Sequence, residues 1–332
     1  MLVDKNEERL LLFNRASNDV AVMDLDSTEI SIHSNFGQDD ISHGKINDVN
    51  LFFLSDSIYG VSSSNKINMY GLKGNYIESM RFDNYTVAPI SNFKLVNDSI
   101  VYYVRIPEGN TGRLEYYEYP SEIVVKSNIK SNQESSLVRF PQKDLFTKDY
   151  FHPYTYNHFF GFFETKNELF YINSNGANMY VYDLLELHGK LKREVKLNLD
   201  YYNQLEIEFG ATTDMEESIA QAFCSPIIKG VYTNESNLFV VYKEGFSRDF
   251  IRRYADEHEG FPYTERPQSQ YYISYFLNEE KVSRDVMIPK EYGEVKFIES
   301  ADYILSKKYP TEESDLNGTT TYYVLSLTKK NE

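Results

Sequence analysis

One plan recurs along this chain and restricts its fold more than any single residue does. A short apolar strand runs into a turn of Ser, Asn or Gly. A second strand then closes on Tyr or Met, a small or acidic residue, and Leu. The plan is clearest in Arg9 to Leu25 (RLLLFNRASNDVAVMDL), Ser57 to Leu72 (SIYGVSSSNKINMYGL) and Glu168 to Leu184 (ELFYINSNGANMYVYDL). Looser copies occupy Ser99 to Tyr119, Asn237 to Leu277 and Ala301 to Leu327, which makes six. Runs this short, rich in Phe, Tyr, Ile and Val and bounded by turn residues, are antiparallel strands.

Most copies are preceded by a further strand with a short polar turn, such as FFLSDSI at Phe52 or VYTNESNL at Val231, and followed by a fourth, such as Ile123 to Asn128 or Lys190 to Leu197. Inner runs are apolar on nearly every residue, as in strands covered on both faces, whereas the fourth, with Lys192, Arg193 and Glu194, is polar enough for an outer edge. Six four-stranded units of roughly 45 residues predict an all-β, six-bladed β-propeller. The expected blades are 8–34, 46–83, 90–129, 157–199, 227–289 and 294–328, forming one domain over 1–332. A β-sandwich is the competing all-β fold, but it has no need of the same plan six times. The first copy shows no clear first strand and the last no fourth, so we expect closing strands from an absent N-terminal segment, with an export leader on it.

The formal net charge of −16 repels a phosphate backbone and argues against nucleic acid and against an anionic membrane surface. No run reaches the roughly 18 apolar residues of a transmembrane segment. Cys224 is the single cysteine, has no histidine near it in sequence, and reads as a small buried apolar residue. No G-x-S-x-G, phosphate-cradling glycine loop or CxxC is present. Neither a catalytic residue, a metal site nor a cofactor is assigned.

LLLFNRASNDVAVMDLDSTEI (Leu10 to Ile30), ISHGKI (Ile41 to Ile46) and the six-copy plan together resemble an uncharacterised family of six-bladed, TolB-like propellers, a domain of unknown function common in Bacteroidetes. The resemblance spans nearly the whole chain. It implies an exported lipoprotein in the periplasm or at the cell surface, with the lipid anchor on the absent leader. It carries no catalytic residues to transfer.

Strands of a blade alternate in direction, so first-to-second and third-to-fourth turns lie at one end of the sheet. Second-to-third turns and crossovers between blades lie at the other. The first set is short throughout: LSDS, VNDS, TKNE, TNES, DLDST, LKGN and LNEEK. The long stretches, Pro107 to Arg113, Ser131 to Tyr156, Tyr201 to Pro226, Glu244 to Gln270 and Pro310 to Thr319, all fall in the second. Long loops are functional more often than connecting ones.

Two of them carry groups that grip a ligand. KDYFHPYTY offers Tyr150, His152, Tyr154 and Tyr156, and the stretch after Glu244 offers Arg248, Arg252, Tyr254 and His258. The plainer readings are a loop with its own small core and a solvated, salt-bridged turn or helix. Asp214 to Ala222 reads as a short helix after Thr212-Thr213.

The expected function is non-catalytic binding of a glycan, peptide or protein partner through the long-loop face. The alternative is a Ca-type hydrolase or lactonase with its cation in the central channel, near Asn50, Asn92, His158, Lys229 and Glu294, where Lys229 would oppose a cation.

Overall fold

In a computed structural model of the chain, six antiparallel sheets of three to five strands follow one another in sequence. The fold is a six-bladed β-propeller. The structure describes residues 2–3, 9–14, 19–24, 30–33, 50–55, 57–62, 66–81, 91–97, 99–105, 122–128, 130–131, 133–139, 158–163, 166–174, 176–185, 189–203, 223–258, 267–298, 300–309 and 321–328. Two compact units contain the blades: Met1–Gly109 with Ser121–Arg139, and Asn110–Pro120 with Phe140–Glu332.

The first unit holds three blades. Blade one is β1 (Leu2–Val3), β2 (Arg9–Asn14), β3 (Asp19–Asp24) and β4 (Ile30–His33). It therefore has a first strand that its sequence did not announce, because two residues are too few to show alternation. Leu2 pairs with Leu11 and Val3 with Leu10. Blade two is β5 (Asn50–Ser55), β6 (Ile58–Ser62), β7 (Lys66–Gly71) and β8 (Tyr76–Arg81).

Blade three is β9 (Ser91–Asn97), β10 (Ile100–Val104), β11 (Glu122–Asn128) and β12 (Gln133–Arg139). Here the expected strands are corrected. Glu122–Asn128 is the third strand and not the fourth, and Gln133–Arg139, read from sequence as the start of a long insert, is the fourth. Burial explains the order. Ile123, Val124 and Val125 are fully buried, as a middle strand requires, while Gln133, Glu134 and Ser135 tolerate an edge.

The second unit holds the other three. Blade four is β13 (His158–Phe163), β14 (Glu168–Asn173), β15 (Asn178–Asp183) and β16 (Lys190–Lys196). Blade five is β17 (Ile227–Asn234), β18 (Asn237–Lys243), β19 (Tyr271–Leu277) and an outer edge split into β20 (Glu280–Lys281) and β21 (Val286–Ile288), both paired to β19. Blade six has β22 (Glu294–Ile298), β23 (Ile304–Lys307) and β24 (Tyr322–Leu325).

Apolar side chains at alternate positions fuse neighbouring blades. Leu238, Val240 and Tyr242 of β18 join Phe170 and Ile172 of blade four in one core, while Phe239 and Val241 join Val295 and Ile304 of blade six in another. In the first unit, Tyr59 and Val61 pack with Leu11 and Val20, and Ile67 and Met69 with Val101 and Tyr103.

The many tyrosines bring hydroxyls into these cores, and each needs a partner there. Tyr59, Tyr103, Tyr171 and Tyr242, all on second strands, are fully buried. Their partners are His33 (2.9 Å), Glu134 (2.6 Å), His158 (2.8 Å) and Asp285 respectively.

Candidate functional site

Strand order fixes the end of each sheet from which a connection leaves. In the second unit, the connection from β16 to β17, that from β18 to β19 and that from β23 to β24 all leave the end opposite the tight turns. The tight turns are short because residues such as Asn167, Glu235, Asn278 and Glu279 take positive φ. In blade three of the first unit, the β10 to β11 connection likewise leaves the end opposite its tight turns.

The β18 to β19 connection contains α1 (Arg248–Glu257). Its start is built from Ser247, whose hydroxyl accepts from the Phe250 amide at 3.2 Å. The loop before it is pressed against blade five's entry: a Cβ on Gly245 would lie 1.6 Å from the Cys224 carbonyl oxygen, and Phe246 N donates to Phe223 O at 3.0 Å. Phe246, Phe250, Tyr254 and His258 recur every fourth residue and form a column of stacked rings. With about 100° per residue, Arg248 and Arg252 project on a different side of the helix.

The expected site residues of this stretch therefore divide. Tyr254 and His258 stack at 4.1 Å, and His258 Nδ1 donates to the Tyr254 carbonyl oxygen at 2.9 Å. Arg248 and Arg252 are exposed. Tyr150, His152, Tyr154 and Tyr156 lie outside the described residues, as does the helix expected at Asp214 to Ala222.

At the end of blades five and six from which these connections leave lies a charged cluster. Lys229 is the extra residue of a bulge in β17, between Ile228 and Gly230, and Lys296 is the extra residue of a bulge in β22, between Val295 and Phe297. A bulge re-aims its side chain out of the ladder's alternation. Tyr232 Oη donates to the Lys296 carbonyl at 3.0 Å, satisfying the acceptor that the bulge frees. Gly230 makes this possible, since a Cβ there would lie 2.7 Å from the Tyr232 ring.

Lys243 ends β18 opposite Tyr271, on the face that Phe239 and Val241 turn toward blade six. Glu294 begins β22 and pairs with Lys296 at 2.6 Å. The Tyr271 and Tyr309 hydroxyls hydrogen-bond to each other near Glu294.

Burial pulls the Lys243 ammonium down to about 8, and the charge of Lys229 adds to this. Burial also lowers Lys229, although Glu294 partly restores it. Burial raises Tyr271 and Tyr309. Among the described residues, neither Lys229 nor Lys243 has a hydrogen-bond or ion-pair partner for its ammonium. Sequence reading had found Lys229 and Glu294 as first-strand residues but missed Lys243, Lys296, Tyr271 and Tyr309. The available signal was that Lys243, Tyr271 and Tyr309 each flank a long connection; Lys296, inside β22, carried none.

His158 begins β13, stacked on Tyr171, and burial pulls its imidazole down to about 4. It is therefore neutral and engaged with the Tyr171 hydroxyl. Asn50 begins β5 and Asn92 lies in β9, both in the first unit, and their side chains are outside the described residues. Among the described residues no cluster of acidic, His and Cys side chains could hold a metal ion, and no helix is long and apolar enough to cross a membrane.

No family profile matches the chain, and no curated protein matches it by sequence. Solved structures do match in fold. A member of the DUF4221 family from Bacteroides vulgatus superposes with a TM-score of 0.65 at 10% identity, over 98% of this chain and 91% of that one. This is a likeness of fold to an uncharacterised Bacteroides family, as the sequence resemblance implied; the TolB-like label stays an expectation. A candidate exported protein of Bacteroides fragilis gives 0.49 at 12% identity, over 96% and 80% of the two chains. The WD40 domain of Neurospora crassa Pan2 gives 0.48 at 9%, over 92% and 73%.

Proposed function

We propose that the protein is a non-catalytic binding module that holds a glycan, peptide or protein partner at the long-connection end of its blades. The observation that carries this is that three extended connections of the second unit all leave one end of their sheets, the end at which the half-buried Lys229 and Lys243 of blade five lie. A rigid sheet stack presenting long loops is a recurring design for recognition. Tyr150, His152, Tyr154, Tyr156, Arg248, Arg252, Tyr254 and His258 are the proposed contacts. Arg248 and Arg252 are exposed on the helix, while Tyr254 and His258 shape the helix that presents them.

The channel hydrolase reading is disfavoured by charge. Glu294 is committed to Lys296, with Lys229 beside it, and this surrounding repels a divalent cation. By the family resemblance we also propose export to the periplasm or cell surface on a lipid anchor. Fractionation that finds the full-length gene product only in the cytosol would overturn that location.

Binding is tested on glycan and peptide arrays. The wild type is compared with a Tyr150→Ala/Tyr154→Ala/Tyr156→Ala variant and with Arg248→Ala/Arg252→Ala. We expect any ligand of the wild type to lose roughly tenfold or more in affinity in at least one variant. Equal binding by all three proteins would remove this face from the site.

A further inference from the structure

We propose that Lys229 and Lys243 form an oxyanion-binding subsite for a phosphate, sulfate or carboxylate group carried by the ligand, with Tyr271 and Tyr309 as flanking donors. This deepens the binding reading above and rests on it.

The argument begins with cost. An ammonium held out of water is costly unless it is paired, and two of one sign near each other cost more. Lys243 closes an apolar strand, and Lys229 is turned out of its ladder by a bulge. Of the nearby carboxylates, Glu294 is taken by Lys296, and Glu244, the residue after Lys243, accepts from Tyr272 Oη at 3.2 Å. The described residues thus leave Lys229 and Lys243 without a counter-ion in a chain whose net charge is −16. Acidic side chains abound, yet of those described only Glu294 acts on Lys229, and it is ion-paired to Lys296. Such an arrangement suits an anion from outside, which would meet two charged donors and the phenols of Tyr271 and Tyr309 in a largely desolvated setting.

Placement supports the same reading. The pair sits at the end of blade five from which α1 and the long connections depart. A ligand gripped by those connections would bring an anionic substituent to the lysines. The bulge at Lys229 and the Tyr232 brace under Lys296 fix where those side chains start, so the subsite is organised before anything binds.

The test uses the full chain and three probes at constant ionic strength: inorganic phosphate, sulfate and acetate. Each is titrated against the melting temperature and by calorimetry. We expect a saturable rise of a few degrees with at least one probe, and the ranking of the three identifies the class of oxyanion. Affinity in Lys229→Met/Lys243→Met should fall roughly tenfold or more.

A pH series on the wild type does not depend on any variant folding. Binding should weaken between pH 7 and 9.5 as Lys243 loses its charge. Lys243 meets the charge of Lys229 on β17 and stands opposite Tyr271 on β19; Glu294 and Lys296 on β22 act on Lys229, and Tyr309 after β23 hydrogen-bonds to Tyr271. Burial raises both tyrosines above that interval.

No saturable effect from any probe, or the same effect in the double variant, overturns the subsite. Loss of array binding in the loop variants with no probe response would sink the subsite and leave the loop reading standing. A probe response with unchanged array binding would do the reverse.

Discussion

Arg193 on the outer strand of blade four donates through Nε to Glu279 Oε2 at 2.8 Å, and Glu279 makes that contact from a backbone with φ of 71°. The same guanidinium grips buried Glu168 through Nη1 at 2.9 Å and Nη2 at 2.6 Å. One arginine therefore pins a strained hairpin of blade five to the core of blade four.

Removing that guanidinium leaves a buried carboxylate uncompensated. Arg193→Met should cost about 3–5 kcal/mol in urea unfolding. Glu279→Gly should cost less, because it loses the contact but relieves the left-handed backbone. Equal losses would show that the strain at Glu279 carries no weight.

Hydrogen bonds from Arg193 hold Glu168 down to about 2. The folded value lies below the unfolded one, so this stability is fully present above the usual carboxylate range and drains away only as pH falls toward 2. His158 titrates in a different interval. Burial lowers it from 6.5 to about 4, so the unfolded chain takes up a proton first and stability falls as pH drops from 6.5 to 4. The loss should be up to roughly 3 kcal/mol. In His158→Gln that slope should vanish, whatever the variant's stability at neutral pH. Stability curves at pH 7, 5.5 and 4 on both proteins decide it; parallel curves would place the acid sensitivity elsewhere.

Lys243 carries its charge in a partly buried place at neutral pH, so Lys243→Met should stabilise the protein, by about 1–3 kcal/mol at pH 7. The sign follows from its lowered folded value of about 8. The wild type bears the full penalty below pH 8 and sheds it between 8 and the ordinary lysine value, so the variant's advantage should shrink by pH 10. Denaturant melts at pH 7 and 10 measure both points. A variant less stable than wild type at pH 7 would mean that the ammonium makes a stabilising contact.

Gly293 sets the entry to blade six. Its φ is +78°, and a Cβ there would lie 2.1 Å from the Lys307 carbonyl oxygen. Gly293→Ala should therefore cost roughly 2 kcal/mol or more and displace Glu294, which follows it. The thermal melt reports the first effect, and any phosphate, sulfate or acetate affinity reports the second. An alanine variant with an unchanged melt would contradict the close approach.

The copies at Arg9 to Leu25, Ser57 to Leu72 and Glu168 to Leu184 revealed the architecture because blade strands are local and regular: apolar residues, short turns and polar edges are written in consecutive residues. Blade three was misread because its third strand follows an insert and its fourth, Gln133–Arg139, is polar enough to pass for one. Leu2–Val3 is too short to carry a pattern, and its pairing with Leu10 and Leu11 depends on the sheet it joins.

Sequence by itself thus determined the repeat, the short-turn and long-connection ends of each blade, and the acidic character of the chain. Tertiary structure alone decided that Lys229, Lys243, Glu294 and Lys296 share one place, and that Arg193 serves two carboxylates from two blades. The reason is separation: strand patterns are set by neighbours in the chain, whereas charges on different strands meet only through register and bulges. Those are fixed when the blades pack.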